Sequence, residues 1–223
     1  MAEMFEKPKK FSGEWFRYVW DYYKVHILVA LAVIALIAVT VVEVLNTVHY
    51  DVNINYIASD VLSFDVSDNL ANKAAEQIED GNGDGEKHVS VTQLNFTDEA
   101  MQNANQIMAL ENKLMTVFAS EDEMMFLFDE AMLKDVLDMS ATEGVFVPVS
   151  QWADGDLSEE LLYEYGDGIY AVNLKNSAIL KEMGIDASGM FVAVRMNYKP
   201  EDEKLQKSFE NCVALANSLI KES

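Results

Sequence analysis

Residues 25–42 read VHILVALAVIALIAVTVV, apolar at every helical angle, with His26 near one end and Thr40 the one polar residue inside. A helix of this length is roughly 27 Å long at about 1.5 Å per residue, close to a bilayer hydrocarbon core of about 30 Å. A helix buried in a water-soluble core shows an apolar stripe and a polar back. A helix that is apolar all round satisfies its backbone internally and offers only lipid-compatible side chains, so the pattern predicts a membrane span. Glu43, Val44, Leu45 and Asn46 offer no small-x-small cleavage site, and the region before the run is long for a signal peptide. The expectation is therefore an uncleaved signal anchor, a transmembrane helix over residues 25–45.

Past residue 46 the hydrophobic period alternates between two and 3.6. Residues 50–57 alternate polar and apolar, as a strand does. Residues 66–78 read as a helix with Ser67 as its N-cap and Leu70, Ala71, Ala74 and Ala75 on one face. Residues 88–96 alternate again. Asp98 then opens a long helical pattern whose Met101, Met108 and Met115 read as core filler. Residues 124–128 are continuously apolar (MMFLF), the mark of a strand buried on both faces. Residues 129–139 are helical, 145–149 extended, and an acidic stretch with little pattern runs to Gly168. A strand over 169–174, a short helix over 177–183 ended by Gly184, a strand over 190–196 and an amphipathic helix over 201–221 complete the chain. Such alternation predicts an α/β domain over residues 46–223, with a mostly parallel sheet and helices on both faces.

Charge adds an orientation. The chain has 223 residues, 38 acidic and 16 basic, for a net charge of −22. Half of its residues are apolar, enough for a real core, and the acidity excludes nucleic acid as a partner because no basic surface is left to displace counterions. One cysteine, Cys212, excludes an intramolecular disulfide and any Cys-based zinc site. Lys7, Lys9, Lys10, Arg17 and Lys24 all precede the span, and the next basic residue is Lys73. Cationic flanks stay cytoplasmic, so residues 1–24 are expected inside the cell and the domain outside, in a single-pass protein of the cell membrane. Trp15, Phe16, Tyr18, Trp20, Tyr22 and Tyr23 crowd the segment before the span. Their rings suit the headgroup layer, so an interfacial anchor is the plain reading and a docking face for a membrane protein the sharper one.

Candidate chemistry is sparse. Asp80, Asn82 and Asp84 bear oxygens at the spacing that opens a calcium loop, with Glu86 to give its backbone carbonyl. Position twelve of that pattern is Val91, which has no ligand atom, so a simple Gly/Asn/Asp turn competes with a weak calcium site. His26, His49 and His88 form no ligand pattern, and no Gly-x-Ser-x-Gly elbow, phosphate loop or dinucleotide fingerprint occurs. Trp152 follows the extended segment at Pro148. It is expected either to stack on a ligand or to cap the core. The absence of a catalytic motif argues against an enzyme.

Two stretches carry a resemblance. Residues 108–149, with the turn Ser120-Glu121-Asp122, a buried strand ending in Asp129, and the Gly144–Val149 segment, look like the first lobe of extracellular solute-binding proteins. Tyr165-Gly166-Asp167-Gly168-Ile169-Tyr170-Ala171-Val172 is similar to the segment with which those proteins begin their crossover. Trp20-Asp21-Tyr22-Tyr23-Lys24-Val25-His26 before a span also resembles uncharacterised single-span proteins of Firmicutes. The resemblance implies a single lobe of a periplasmic-binding-like fold, ligand contact at Asp129, and a small solute held at the carboxyl ends of the strands. The functional expectation is a membrane-anchored binding or sensing module. The rival is an accessory or scaffold subunit that docks a membrane protein.

Overall fold

The computed structural model describes residues 9–45, 47–139 and 144–222. Lys7, Asn46 and residues 140–143, which figure in the readings above, lie outside the described residues. The chain divides between Val48 and His49 into two compact units.

The first unit is one helix, α1 (Gly13–Leu45). Ser12 starts it: its hydroxyl oxygen accepts from the Trp15 N–H at 3.2 Å, and its carbonyl accepts from Phe16 at 3.1 Å, so two otherwise free N–H groups of the first turn are satisfied. The aromatic segment and the apolar run are thus a single continuous element. It is long and apolar enough to cross a membrane, and its most apolar stretch is not buried against the chain.

The second unit is an α/β domain with strands β1 (Val52–Ala58), β2 (Val89–Asn95), β3 (Met125–Asp129), β4 (Leu162–Tyr165), β5 (Gly168–Asn173) and β6 (Met190–Val194). Its helices are α2 (Phe64–Ala75), α3 (Ala104–Ala119), α4 (Glu130–Asp138), α5 (Ala178–Glu182) and α6 (Glu203–Ile220). The sheet order is β2-β1-β3-β6-β5-β4. The expected parallel character holds for β2-β1-β3, whereas β6, β5 and β4 pair antiparallel, so the sheet is mixed. The reason is in the connections. Long crossovers carrying α2 and α3 return the chain in the same direction, while β4 and β5 are joined only by Gly166-Asp167, too short for anything but a hairpin. Gly166 sits at φ 57, the left-handed angle that such a tight turn requires.

Buried residues fall into two clusters, and strand neighbours belong to different ones. Tyr56, Leu127 and Val192 join Leu70 of α2 and Leu215 of α6 in the first. Ile57, Phe126 and Phe191 join Phe118 of α3 and Leu133 of α4 in the second. Successive side chains of a strand point to opposite faces, which is the origin of this division. Strand β3 is buried along its first four residues, as its continuous apolar run requires.

Two helix starts, one helix face and one strand differ from the periodic reading. The N-cap of α2 is Ser63, whose extended backbone places its hydroxyl on the Val66 N–H at 3.3 Å, and Ser67 lies inside the helix. Helix α3 starts not at Asp98 but after Asn103, whose side chain accepts from Asn105 and Gln106, following a short 3-10 turn. Only Leu114, Val117 and Phe118 of α3 are buried, while Met101, Met108 and Met115 are exposed and not core filler. The stretch that showed little pattern contains β4.

Candidate functional site

Asp129 closes β3 and caps α4. Its backbone is still extended (φ −82, ψ 168), so the strand runs into the helix without a loop and the carboxylate lies over the free N–H groups of the first turn. Oδ1 accepts from Met132 at 2.7 Å, and Oδ2 reaches across to the N–H of Ser59, just past β1, at 2.6 Å. The order β2-β1-β3 means that the chain leaves β1 to one side and later returns on the other. In α/β sheets the crevice opens at the carboxyl ends of two such strands. Here Asp129 bridges it with both oxygens. Beside it the Tyr56 hydroxyl donates to Asp60, and burial, reinforced by that bond, pushes the phenol far above its usual range.

Trp152 is core: it is 3% exposed and packs in the first cluster. Its indole N–H is buried without a partner among the described residues. What lies at the surface is the loop on either side of it. A groove of about 820 Å³ runs between residues 148–157 and the β4–β5 hairpin. Pro148, Val149, Leu162, Ile169 and Tyr170 give it apolar walls, and Asp156, Glu164 and Asp167 give it carboxylates. The groove brings Pro148 and Val149 against Gly166–Tyr170 of the hairpin. That volume lies within the range of small-molecule sites, roughly 300–1,000 Å³.

The loop wall is held from behind by α6. Buried Asn217 donates from Nδ2 to the carbonyl of Trp152 and accepts the N–H of Asp154 on Oδ1, both at 2.8 Å. Asn211, about two turns earlier, grips Glu79 in the same way, through its N–H and its carbonyl at 2.9 Å each. Neither was legible in the chain, because an asparagine on a helix reads as a solvent-facing residue unless its neighbours in space are known.

The Asp80–Glu86 segment turns its oxygens on its own backbone. Asp80 accepts from Gly83 and Gly85, Asn82 Oδ1 from Asp84, and Asp84 Oδ1 from Glu86. Those N–H groups, Gly85 foremost, lower the Asp80 pKa. Buried Asp51 anchors the loop, taking Gly81 and Asn82 on Oδ1 and His88 on Oδ2 at 2.9–3.1 Å. Glu86 pairs with His88 at 2.8 Å. Among the described residues no three His, Cys, Asp or Glu side chains converge as metal ligands. Gly83 and Gly85 hold φ 78 and 92, angles that a turn of this shape requires.

Just before β3, at the amino-terminal end of the strand, Glu123 accepts from Asn55 Nδ2 at 2.7 Å and Asn53 Nδ2 at 3.4 Å. Burial outweighs these bonds and raises its pKa. Arg195, also buried, donates to the carbonyl of Ser120 and lies over the Tyr198 ring at 5.9 Å. This cluster ties β1, β3 and β6 together. No protein-family model, curated protein or solved structure matches the chain.

Proposed function

We propose that this chain is a membrane-anchored binding module, without catalysis, that takes a small solute in the groove between residues 148–157 and the β4–β5 hairpin. The observation that carries the reading is the groove itself: a ligand-sized cleft with apolar walls and a few carboxylates, formed by both segments that resemble solute-binding proteins. The crevice at Asp129 is spanned by that carboxylate, which favours the groove over it. The two core clusters support a single lobe with helices on both faces, and one lobe binds without hinge closure. The lysines and arginine before the span and the acidity beyond it support a cytoplasmic N-terminus and an extracytoplasmic domain.

The test is a thermal-unfolding screen of the full chain in nanodiscs against amino acids, sugars, short peptides and calcium. A ligand at about 100 times its dissociation constant adds about 2.7 kcal/mol, which for a domain of this size raises the midpoint by about 5–10 °C. Tyr170→Ala should abolish that rise, and a flat screen would overturn the reading. A second reading, an accessory subunit that docks a protein, is favoured by the exposed Met101, Met108 and Met115, since methionine surfaces adapt to partners. A flat screen, with a partner crosslinked through α3 in cells, would establish it in place of the first.

A further inference from the structure

The groove between residues 148–157 and the β4–β5 hairpin carries one sign of charge. Both of its walls come from residues 135–174, a stretch with nine acids and no Lys, Arg or His. Asp156, Glu164 and Asp167 are the charged groups of its lining, and none of the three enters an ion pair or a hydrogen bond among the described residues. The bases that flank the stretch are engaged elsewhere: Lys134 pairs with Asp138 at 2.5 Å and Lys175 with Glu160 at 3.3 Å. Like charges along a cleft with low-dielectric walls add their fields, so the groove concentrates cations and turns anions away.

Charge and apolar surface lie at different depths. The three carboxylates are exposed, whereas Leu157, Leu162, Ile169 and Tyr170 are half-buried. The Tyr170 ring folds back over Gly168, where a Cβ would come within 2.6 Å of it, so a glycine at that position lets the ring lie in the groove wall. An aromatic ring so placed adds its attraction for an ammonium group to that of the carboxylates. A metal ion does not suit this layout. It needs ligand atoms converging to about 2.6 Å or less, and among the described residues no three His, Cys, Asp or Glu side chains do so.

We propose that the groove takes a small organic cation, an ammonium group on an apolar body. The ammonium faces Asp156, Glu164 and Asp167 at the rim, and the body lies against the half-buried apolar wall and the Tyr170 ring. The inference rests on the groove being the binding site and names the class of its solute.

The test compares three probes that share one body: phenylalaninamide, N-acetylphenylalaninamide and N-acetylphenylalanine. At pH 6.5 these are cation, neutral and anion, because a free α-amine has a pKa of about 8. Each is titrated into the full chain in phosphatidylcholine nanodiscs, with affinity read by calorimetry and the unfolding midpoint alongside. The cation should bind several-fold tighter than the neutral probe, and the anion most weakly. Glu164→Gln and Asp167→Asn, substitutions at exposed positions, should each weaken the cation about two- to fivefold, the effect of one exposed charge pair, and leave the neutral probe unchanged. Tyr170→Leu keeps an apolar wall and should weaken the cation more than the neutral probe. Cation affinity that survives the triple change Asp156→Asn, Glu164→Gln, Asp167→Asn would belong to the general acidity of the chain and overturns the proposal. So does a calcium-induced rise in the midpoint that the triple variant loses. Tighter binding of the neutral or anionic probe overturns the cation class and leaves the groove as a binding site. Three silent probes overturn the class as well; only a flat result in the wider screen then overturns the groove reading too.

Discussion

Asn217 of α6 donates to the carbonyl of Trp152 at 2.8 Å, while its amide oxygen holds the N–H of Asp154 at the same distance. One helix side chain thus fixes the loop that walls the groove, and does so at a position 6% exposed. Replacing it by alanine strands the buried carbonyl of Trp152 and takes a partner from the N–H of Asp154, an exposed residue. Asn217→Ala should cost about 1–3 kcal/mol, chiefly the unsatisfied Trp152 carbonyl. Asn217→Asp, which sets a buried carboxylate against the Trp152 carbonyl, should cost at least as much at pH 7. Urea denaturation of both variants checks the order, and equal stability of Asn217→Ala and the parent would refute the clamp.

The start of α2 offers a test with an internal control. Ser63→Ala removes the cap on the Val66 N–H and should destabilise the domain by about 1 kcal/mol. Ser67→Ala, inside the same helix, should be neutral or slightly stabilising, because alanine is the better helix former. The reverse order would return the helix start to Ser67.

Glu123 yields a pH prediction. Its folded pKa lies above its ordinary value of 4.5, chiefly through burial. Folding therefore favours the protonated acid, and the contribution of this residue to stability is full below the ordinary value and declines as pH rises through the raised one. Glu123→Gln keeps an oxygen for Asn55 and removes the buried charge. The variant should equal the parent near pH 4 and exceed it at pH 7. Denaturation curves measured across that interval decide it, and a variant weaker than the parent at pH 7 would show that the charge is needed.

Cys212 is 1% exposed, and burial pushes its thiol up to about 12. It should resist a maleimide at pH 7 in the folded protein and react once the chain is unfolded in urea. Mass spectrometry of the labelled chain reads the difference, and rapid labelling of the native form would mean that α6 opens locally.

What was legible in the chain was whatever depends on neighbours in sequence. The continuous apolar run of β3, the end of α5 at Gly184 and the length of the apolar part of α1 all came through, because pitch and pleat fix which residues share a face. Ser63 was missed because a cap is identified by where its hydroxyl lands, and Ser67 offered the same chemistry four residues on. Strand β4 was missed because four residues between acidic loops make too short a pattern to show a period, and pairing with β5 is what holds them extended.

Side-chain order alone defines a membrane-length apolar helix joined to an α/β domain, since hydrophobic length and periodicity are its local consequences. Tertiary contacts were needed to show that Trp152 lies in the core, that Asp129 ties β1 to α4, that three of the five strand pairings are antiparallel, and that the groove unites residues 148–157 with 162–170. These were set by which surfaces the collapsing chain could bury together and which polar groups it then had to satisfy, and no single run of residues shows that.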